Sequence, residues 1–187
     1  MIKIEDHEIL KNNISTLKDT SLDDDNDIYM TECEYTAIDF DGVKDNYVDG
    51  RHIKPNPSSN DALLIIEGKA FFIEFKNRDM KKEIFKVKKK IYESVPILND
   101  IIDAQISSTR KELEYILVYS EAKNSTNEEE KNQHKKSLNA IQKSISAKAK
   151  VEFIRFDLER FKNFFFKDVH TYTEKEFDDF LIRNNIR

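Results

Sequence analysis

Asp61, Glu74 and Lys76 are the residues of this chain whose types and spacing could do chemistry. Asp61 precedes the apolar run Ala62 to Ile66, and Glu74 and Lys76 end the largely apolar run Lys69 to Lys76; Glu67-Gly68 separates the two runs. If those two residues turn a hairpin, with Gly68 supplying a positive φ, then Ile66 faces Lys69, Leu64 faces Phe71 and Asp61 faces Glu74. Directly opposed residues hold their Cβ atoms about 4.5–5.5 Å apart on one face. The two-residue pleat brings Lys76 to that face too, while Phe71, Ile73 and Phe75 point the other way, into a core. Two carboxylates and one ammonium thus converge at one end of a strand pair. Like charges opposed across a ladder destabilise it, and a divalent cation would remove that cost. Carboxylate oxygens are the hard ligands Mg²⁺ takes, often one or two of them with waters and a substrate phosphate. A four-residue loop would keep the face and shift the pairing; a three-residue loop would require a bulge.

The elements that must position these residues follow from hydrophobic periodicity. Residues 6–18 carry Ile9, Leu10, Ile14 and Leu17 at helical spacing and predict a first helix. Residues 20–27 are a polar, acidic break, and 29–40 are ambiguous. Residues 45–60 hold Gly50, Pro55 and Pro57 and predict a loop or edge segment. Two strands, 62–66 and 69–76, are followed by a helix over 79–94 on Ile84, Val87, Ile91 and Val95. Residues 114–119 predict another strand. Between 121 and 150 a solvated loop leads into a helix on Leu138, Ile141, Ile145 and Ala149, and 151–156 predict a strand. Thr173 and Glu176 fit a capping box opening a last helix on Phe177, Phe180 and Leu181. The order predicts an α/β fold with a mixed central sheet flanked by helices.

With an acid opening one strand (Asp61) and an acid-x-lysine triplet on its neighbour (Glu74-Phe75-Lys76), the chain resembles the PD-(D/E)XK nuclease superfamily. The helix over 79–94 and the strand over 114–119 extend the likeness. It covers roughly residues 30–120, most clearly 60–94, and leaves 121–187 as an elaboration of a single domain spanning 1–187. The resemblance implies a restriction-endonuclease-like fold and hydrolysis of nucleic-acid phosphodiesters dependent on Mg²⁺, with Mn²⁺ as substitute. It implies that Asp61, Glu74 and the backbone carbonyl of Phe75 hold the metal, and that Lys76 orients the attacking water or neutralises developing charge. Asn60 stands where the family often has proline. The family often adds an upstream acid, for which Glu34 is the first candidate and Glu32 the second. An acid-x-lysine triplet alone is more often a surface ion pair; the opposed acid and the following helix make it a candidate site. Because a fold does not guarantee a function, the alternative is a catalytically silent domain of the same fold acting as an immunity-type or regulatory protein-binding module.

Charge constrains partners. The 187 residues are 36% charged and 39% hydrophobic, with net charge −5, which argues against a basic nucleic-acid coat but leaves local grip on phosphates open. The densest basic run is Lys81, Lys82, Lys86, Lys88, Lys89 and Lys90, and Arg78, Lys81, Lys82 and Lys86 are candidate phosphate contacts. The expected partner is nucleic acid, DNA before RNA, with a homodimer or a protein partner as further associations through the lysine helix or the Phe-rich end. The core is the better reading of Phe161, Phe164, Phe165 and Phe166. His7, His52, His134 and His170 show no metal-ligand spacing, and Asp39-Phe40-Asp41-Gly42 is like a calcium loop only superficially. The single cysteine, Cys33, allows no internal disulfide. The start of the chain shows no leader, and the longest apolar run, Ala62 to Ile66, is far too short for a membrane span. A cytoplasmic protein without a membrane partner is the expectation.

Overall fold

The structure, a computed structural model, describes residues 6–124 and 153–186. The chain enters through a short helix α1 (Glu8–Lys11), strand β1 (Ile14–Thr16), helix α2 (Leu17–Thr20) and the small strands β2 (Leu22–Asp23) and β3 (Ile28–Tyr29). Strand β4 (Thr36–Asp39) leads into α3 (Phe40–Arg51), then β5 (Ala62–Ile66) and β6 (Lys69–Lys76). Helices α4 (Met80–Ile101) and α5 (Ile106–Glu112) precede β7 (Leu113–Tyr119) and α6 (Glu121–Asn124). After the second described stretch begins come β8 (Val169–Thr173) and α7 (Glu174–Arg183). The main sheet has the order β1-β4-β5-β6-β7-β8. Its first three pairings are antiparallel and its last two parallel, so the sheet is mixed.

The β5–β6 hairpin forms as its pattern dictates. Glu67 (φ 47) and Gly68 (φ 80) both take left-handed backbone, the combination whose twist matches a two-residue hairpin. Ile66 pairs with Lys69, Leu64 with Phe71 and Ala62 with Ile73. Both faces are covered. Leu63 and Phe72 face α3, α4 and a Phe-rich segment, while Leu64, Phe71, Ile73 and Phe75 face α2 and α7. Each such buried side chain contributes about 1.5–3 kcal/mol, so sliding the register by one residue would turn both layers inside out.

Several expectations fail for identifiable reasons. Residues 6–18 are not one helix: Leu10 and Leu17 are buried on opposite faces of the sheet and Ile14 is exposed. Asn13 ends the first turn, its Nδ2 donating to Ile9 O at 2.7 Å, and Ile14–Thr16 pair with β4. Residues 45–51 are helix, not loop. Tyr47 and Arg51 of α3 both reach Asp100 of α4, at 3.0 and 2.8 Å. Helix α4 runs past 94 to Ile101 despite Pro96, because Ile97 and Leu98 continue its buried stripe. Residues 153–156 form no strand; the sheet ends in β8 instead, and Arg155 N only donates to the Thr171 hydroxyl at 3.0 Å. The expected helix on Leu138, Ile141, Ile145 and Ala149 lies outside the described residues. The Thr173–Glu176 capping box is present, and Phe161, Phe165 and Phe166 are buried as core. Among the described residues no helix is long and apolar enough to cross a membrane.

The β7–β8 pairing carries a pH-sensitive contact. His170 Nε2 donates to Glu114 Oε2 at 3.2 Å, and Lys167 Nζ lies 3.3 Å from Oε1. The His170 hydrogen bond first, then Lys167, hold the Glu114 pKa below its usual value near 4.5, against partial burial. A depressed folded-state pKa stabilises the fold above the unfolded value and loses that stabilisation as pH falls through the folded one. Urea midpoints from pH 6 to 3 should therefore fall more shallowly below pH about 4.5 in Glu114→Gln than in the parent. Parallel curves would remove Glu114 from the acid response.

Candidate active site

Loop 58–61, which leads into β5, is held by three residues on one side of α4, Lys90, Glu93 and Ser94. Glu93 Oε2 accepts from Ser58 N at 2.6 Å, Ser94 Oγ accepts from Asn60 N at 2.8 Å, and Lys90 Nζ donates to Asp61 Oδ1 at 2.7 Å. Asn60 thus supplies a backbone N–H that a proline at this position would lack. The other Asp61 oxygen, Oδ2, accepts from Phe75 N at 2.7 Å, which ties the entry of β5 to the end of β6. The register continues from Ala62–Ile73, so Asp61 and Glu74 come together as the sequence predicts.

Glu74 is fully buried. Its Oε1 lies 2.5 Å from Lys76 Nζ and 2.9 Å from Lys90 Nζ, and its Oε2 accepts from Lys90 at 3.1 Å. Asp61, Glu74, Lys76 and Lys90 form a quartet with two acidic and two basic side chains in contact. Burial, then Asp61, pushes the Glu74 pKa up, with the two lysines opposing. Burial works against the charges of Lys76 and Lys90, but attraction to Glu74 and Asp61 outweighs it and raises both.

Two further acids stand at the same end. Asp39 caps α3, accepting from Asp41 N at 3.0 Å and Gly42 N at 3.2 Å. The approach is tight: a Cβ on Gly42 would sit 2.5 Å from Asn13 Oδ1. Asp41 pairs with the Ser59 hydroxyl. Asp41 as a whole is exposed, yet its carboxyl is crowded by protein, and that crowding, with the Asp61 charge, raises its pKa against the Ser59 bond and Lys90. Asp39, Asp41, Asp61, Phe75 and Lys76 line a cavity of about 620 Å³.

Comparison with protein-family models, with curated proteins and with solved structures finds no match to this chain.

Of the residues predicted from sequence, Asp61, Glu74, Lys76 and the Phe75 backbone are brought together. Glu34 is not. It is exposed and acts on Lys18, as does Glu32 through a 2.7 Å ion pair. The segment before β4 turns both side chains toward α2, and neither lines the cavity. The upstream acids that do line the cavity beside Asp61 include Asp39 and Asp41. Arg78 lines the cavity but pairs with Asp25, and Lys86 lines it while pairing with Glu83 at 3.0 Å. Lys81 and Lys82 are exposed and outside it. Lys90 is the site residue that sequence reasoning placed wrongly, on the solvent face. The usable signal was its spacing: three residues after buried Val87 and four before buried Ser94, it shares their stripe.

Among the described residues no three His, Cys, Asp or Glu side chains stand close enough to form a metal-binding group. The acids alternate with ammonium groups instead. The donor set still suits a small hard cation. Two carboxylates already share one point cation, and Glu74 Oε1 receives no well-aligned hydrogen bond, only the charges of the two lysines. Two carboxylates with waters and phosphate are a sufficient Mg²⁺ set. The cavity lining holds eight acids against three bases, so its field attracts cations and repels a bare phosphate. An anionic substrate would need a cation there to enter.

Proposed function

We propose that this chain is a metal-dependent nuclease of the PD-(D/E)XK type, with the restriction-endonuclease-like arrangement around β5, β6, α4 and β7. The observation that carries the reading is the cation seat: one ammonium lies 2.7 Å from Asp61 and 2.9 Å from Glu74. Asp61, Glu74 and the Phe75 carbonyl would hold Mg²⁺ or Mn²⁺. When bound, the ion supplies a Lewis acid for phosphate oxygens and acidifies an adjacent water. Lys76, anchored on Glu74, holds its protonated amine at the cavity wall, where it stabilises charge developing on the phosphate. Asp61, fixed by Phe75 N–H, keeps one oxygen directed at the seat. Asp39 and Asp41 add negative potential at the entrance.

The test is cleavage of plasmid, linear and single-stranded DNA and of RNA with Mg²⁺ or Mn²⁺. Asp61→Asn and Lys76→Ala should each cut the rate at least about 100-fold. Activity that persists in both variants would remove this site from the chemistry. One observation favours the silent alternative, in which the same fold serves as a protein-binding module: Lys90 already neutralises the seat. Calorimetry separates the two, since no heat of Mn²⁺ binding at millimolar concentration supports the silent domain.

A further inference from the structure

Helix α4 presents a second surface, opposite the stripe that carries Lys90 and Ser94. Phe85 is 77% exposed, the most exposed large apolar side chain among the described residues. Lys81 and Lys82 lie one helical turn before it and Lys89 one turn after, on the neighbouring positions of the same face. Lys81 and Lys82 have no acidic partner among the described residues. Lys86, half-way along the strip, also lines the cavity that Asp61 and Lys76 line. Lys86 and Lys89 pair within the helix, with Glu83 at 3.0 Å and Glu93 at 3.7 Å, but among the described residues no contact of that kind accounts for Phe85, Lys81 or Lys82. Phe is a poorer helix former than the residues usual on a solvated face, little of its side chain is buried here, and Lys82 and Lys86 are a like-charge pair four residues apart, which weakens a helix.

A ring standing among cations suits a partner with flat apolar faces and regularly spaced negative charge. We propose that this face of α4 binds single-stranded nucleic acid, with Phe85 stacking on a base and Lys81, Lys82, Lys86 and Lys89 tracking the backbone toward the cavity. The proposal deepens the nuclease reading, on which it rests, by naming the form of the substrate. Stacking needs an unpaired base, since bases in a duplex already stack on each other, and aromatic platforms among basic residues are the general means of holding single strands. Lysines contribute phosphate contacts without sequence preference. Lys86 belongs to both surfaces, so a strand on Phe85 is directed to the Asp61–Glu74 end of the hairpin.

The experiment is fluorescence anisotropy in EDTA at low salt, with a labelled oligothymidylate of about 15 nucleotides, its duplex, and a glutamate-rich peptide as probes. The single strand should bind more tightly than the duplex or the peptide. Phe85→Ala should weaken single-strand binding about 5- to 150-fold, and Phe85→Tyr should keep it. Lys82→Ala should weaken it less and flatten its salt dependence. Because Phe85 is exposed, thermal melting of Phe85→Ala should match the parent. Equal binding of duplex and single strand, a Phe85→Ala affinity within two-fold of the parent, or tighter binding of the peptide would each overturn the proposal. EDTA separates it from the catalytic reading. Strand binding without cleavage on adding Mn²⁺ refutes only the nuclease, and cleavage indifferent to Phe85 refutes only the docking strip.

Discussion

Replacing Glu74 by alanine is expected to lower the unfolding free energy by about 3–5 kcal/mol, a fall in melting temperature of about 6–20 °C for a chain of this size. The cause is not the lost carboxylate itself but what it leaves behind. Lys76 and Lys90 are 15% and 18% exposed and both depend on Glu74. Asp61 remains, but of the two ammoniums it contacts only Lys90. One buried ammonium is left without a partner, and breaking a buried pair costs more than the pair itself contributes. The same reasoning predicts non-additivity. Glu74→Gln with Lys90→Met leaves Asp61 and Lys76, one charge of each sign, so the double variant should lose less than the sum of the singles, by about 0.5–3 kcal/mol. Denaturant unfolding of the four proteins measures this. A Glu74→Ala loss below about 1 kcal/mol would mean the lysines reach water freely, and the quartet would lose its meaning as a fixed seat.

The hairpin was legible because its determinants are local. The Glu67-Gly68 turn and the apolar runs on either side set a register that no distant contact has to choose, and with it the meeting of Asp61 and Glu74. Helix α4 and the Thr173–Glu176 cap were legible for the same reason, a stripe and a spacing. What could not be read depends on which of two faces wins. Lys90 looks like one of six lysines on a solvated helix, and only the folded chain shows that its amine reaches Asp61 and Glu74. Leu10 and Leu17 share a helical spacing yet are buried in different layers, because Asn13 breaks the helix between them. Asp39 and Asp41 resemble an incomplete calcium loop until β4 pairs with β5, placing Asp39 opposite Ala62, next to Asp61. Val169–Thr173 alternates apolar and polar residues too briefly to be distinguished from a loop, and it becomes a strand because β7 offers an open parallel edge.

The same lysine supplies the sharpest test of the cation seat. Lys90→Met is expected to destabilise the metal-free protein by about 3–5 kcal/mol, since Asp61 and Glu74 then face each other with Lys76 contacting only one of them. Unlike the Glu74 variants, this one should be rescued by a divalent ion. A ligand that binds only the folded state stabilises it by about 2.7 kcal/mol at one hundred times its dissociation constant. Mn²⁺ should therefore raise the melting temperature of Lys90→Met by about 5–11 °C at that concentration. The parent should gain less from the same Mn²⁺, because there the ion competes with an ammonium already held 2.7 Å from Asp61. The order of the two gains is what matters. A larger gain in the variant means that the amine and the ion want the same place, which is the physical content of a metal site in this hairpin. No gain in either protein means that the carboxylates are committed to lysine, and the quartet is then a buried salt-bridge lock between α4 and the β5–β6 strands.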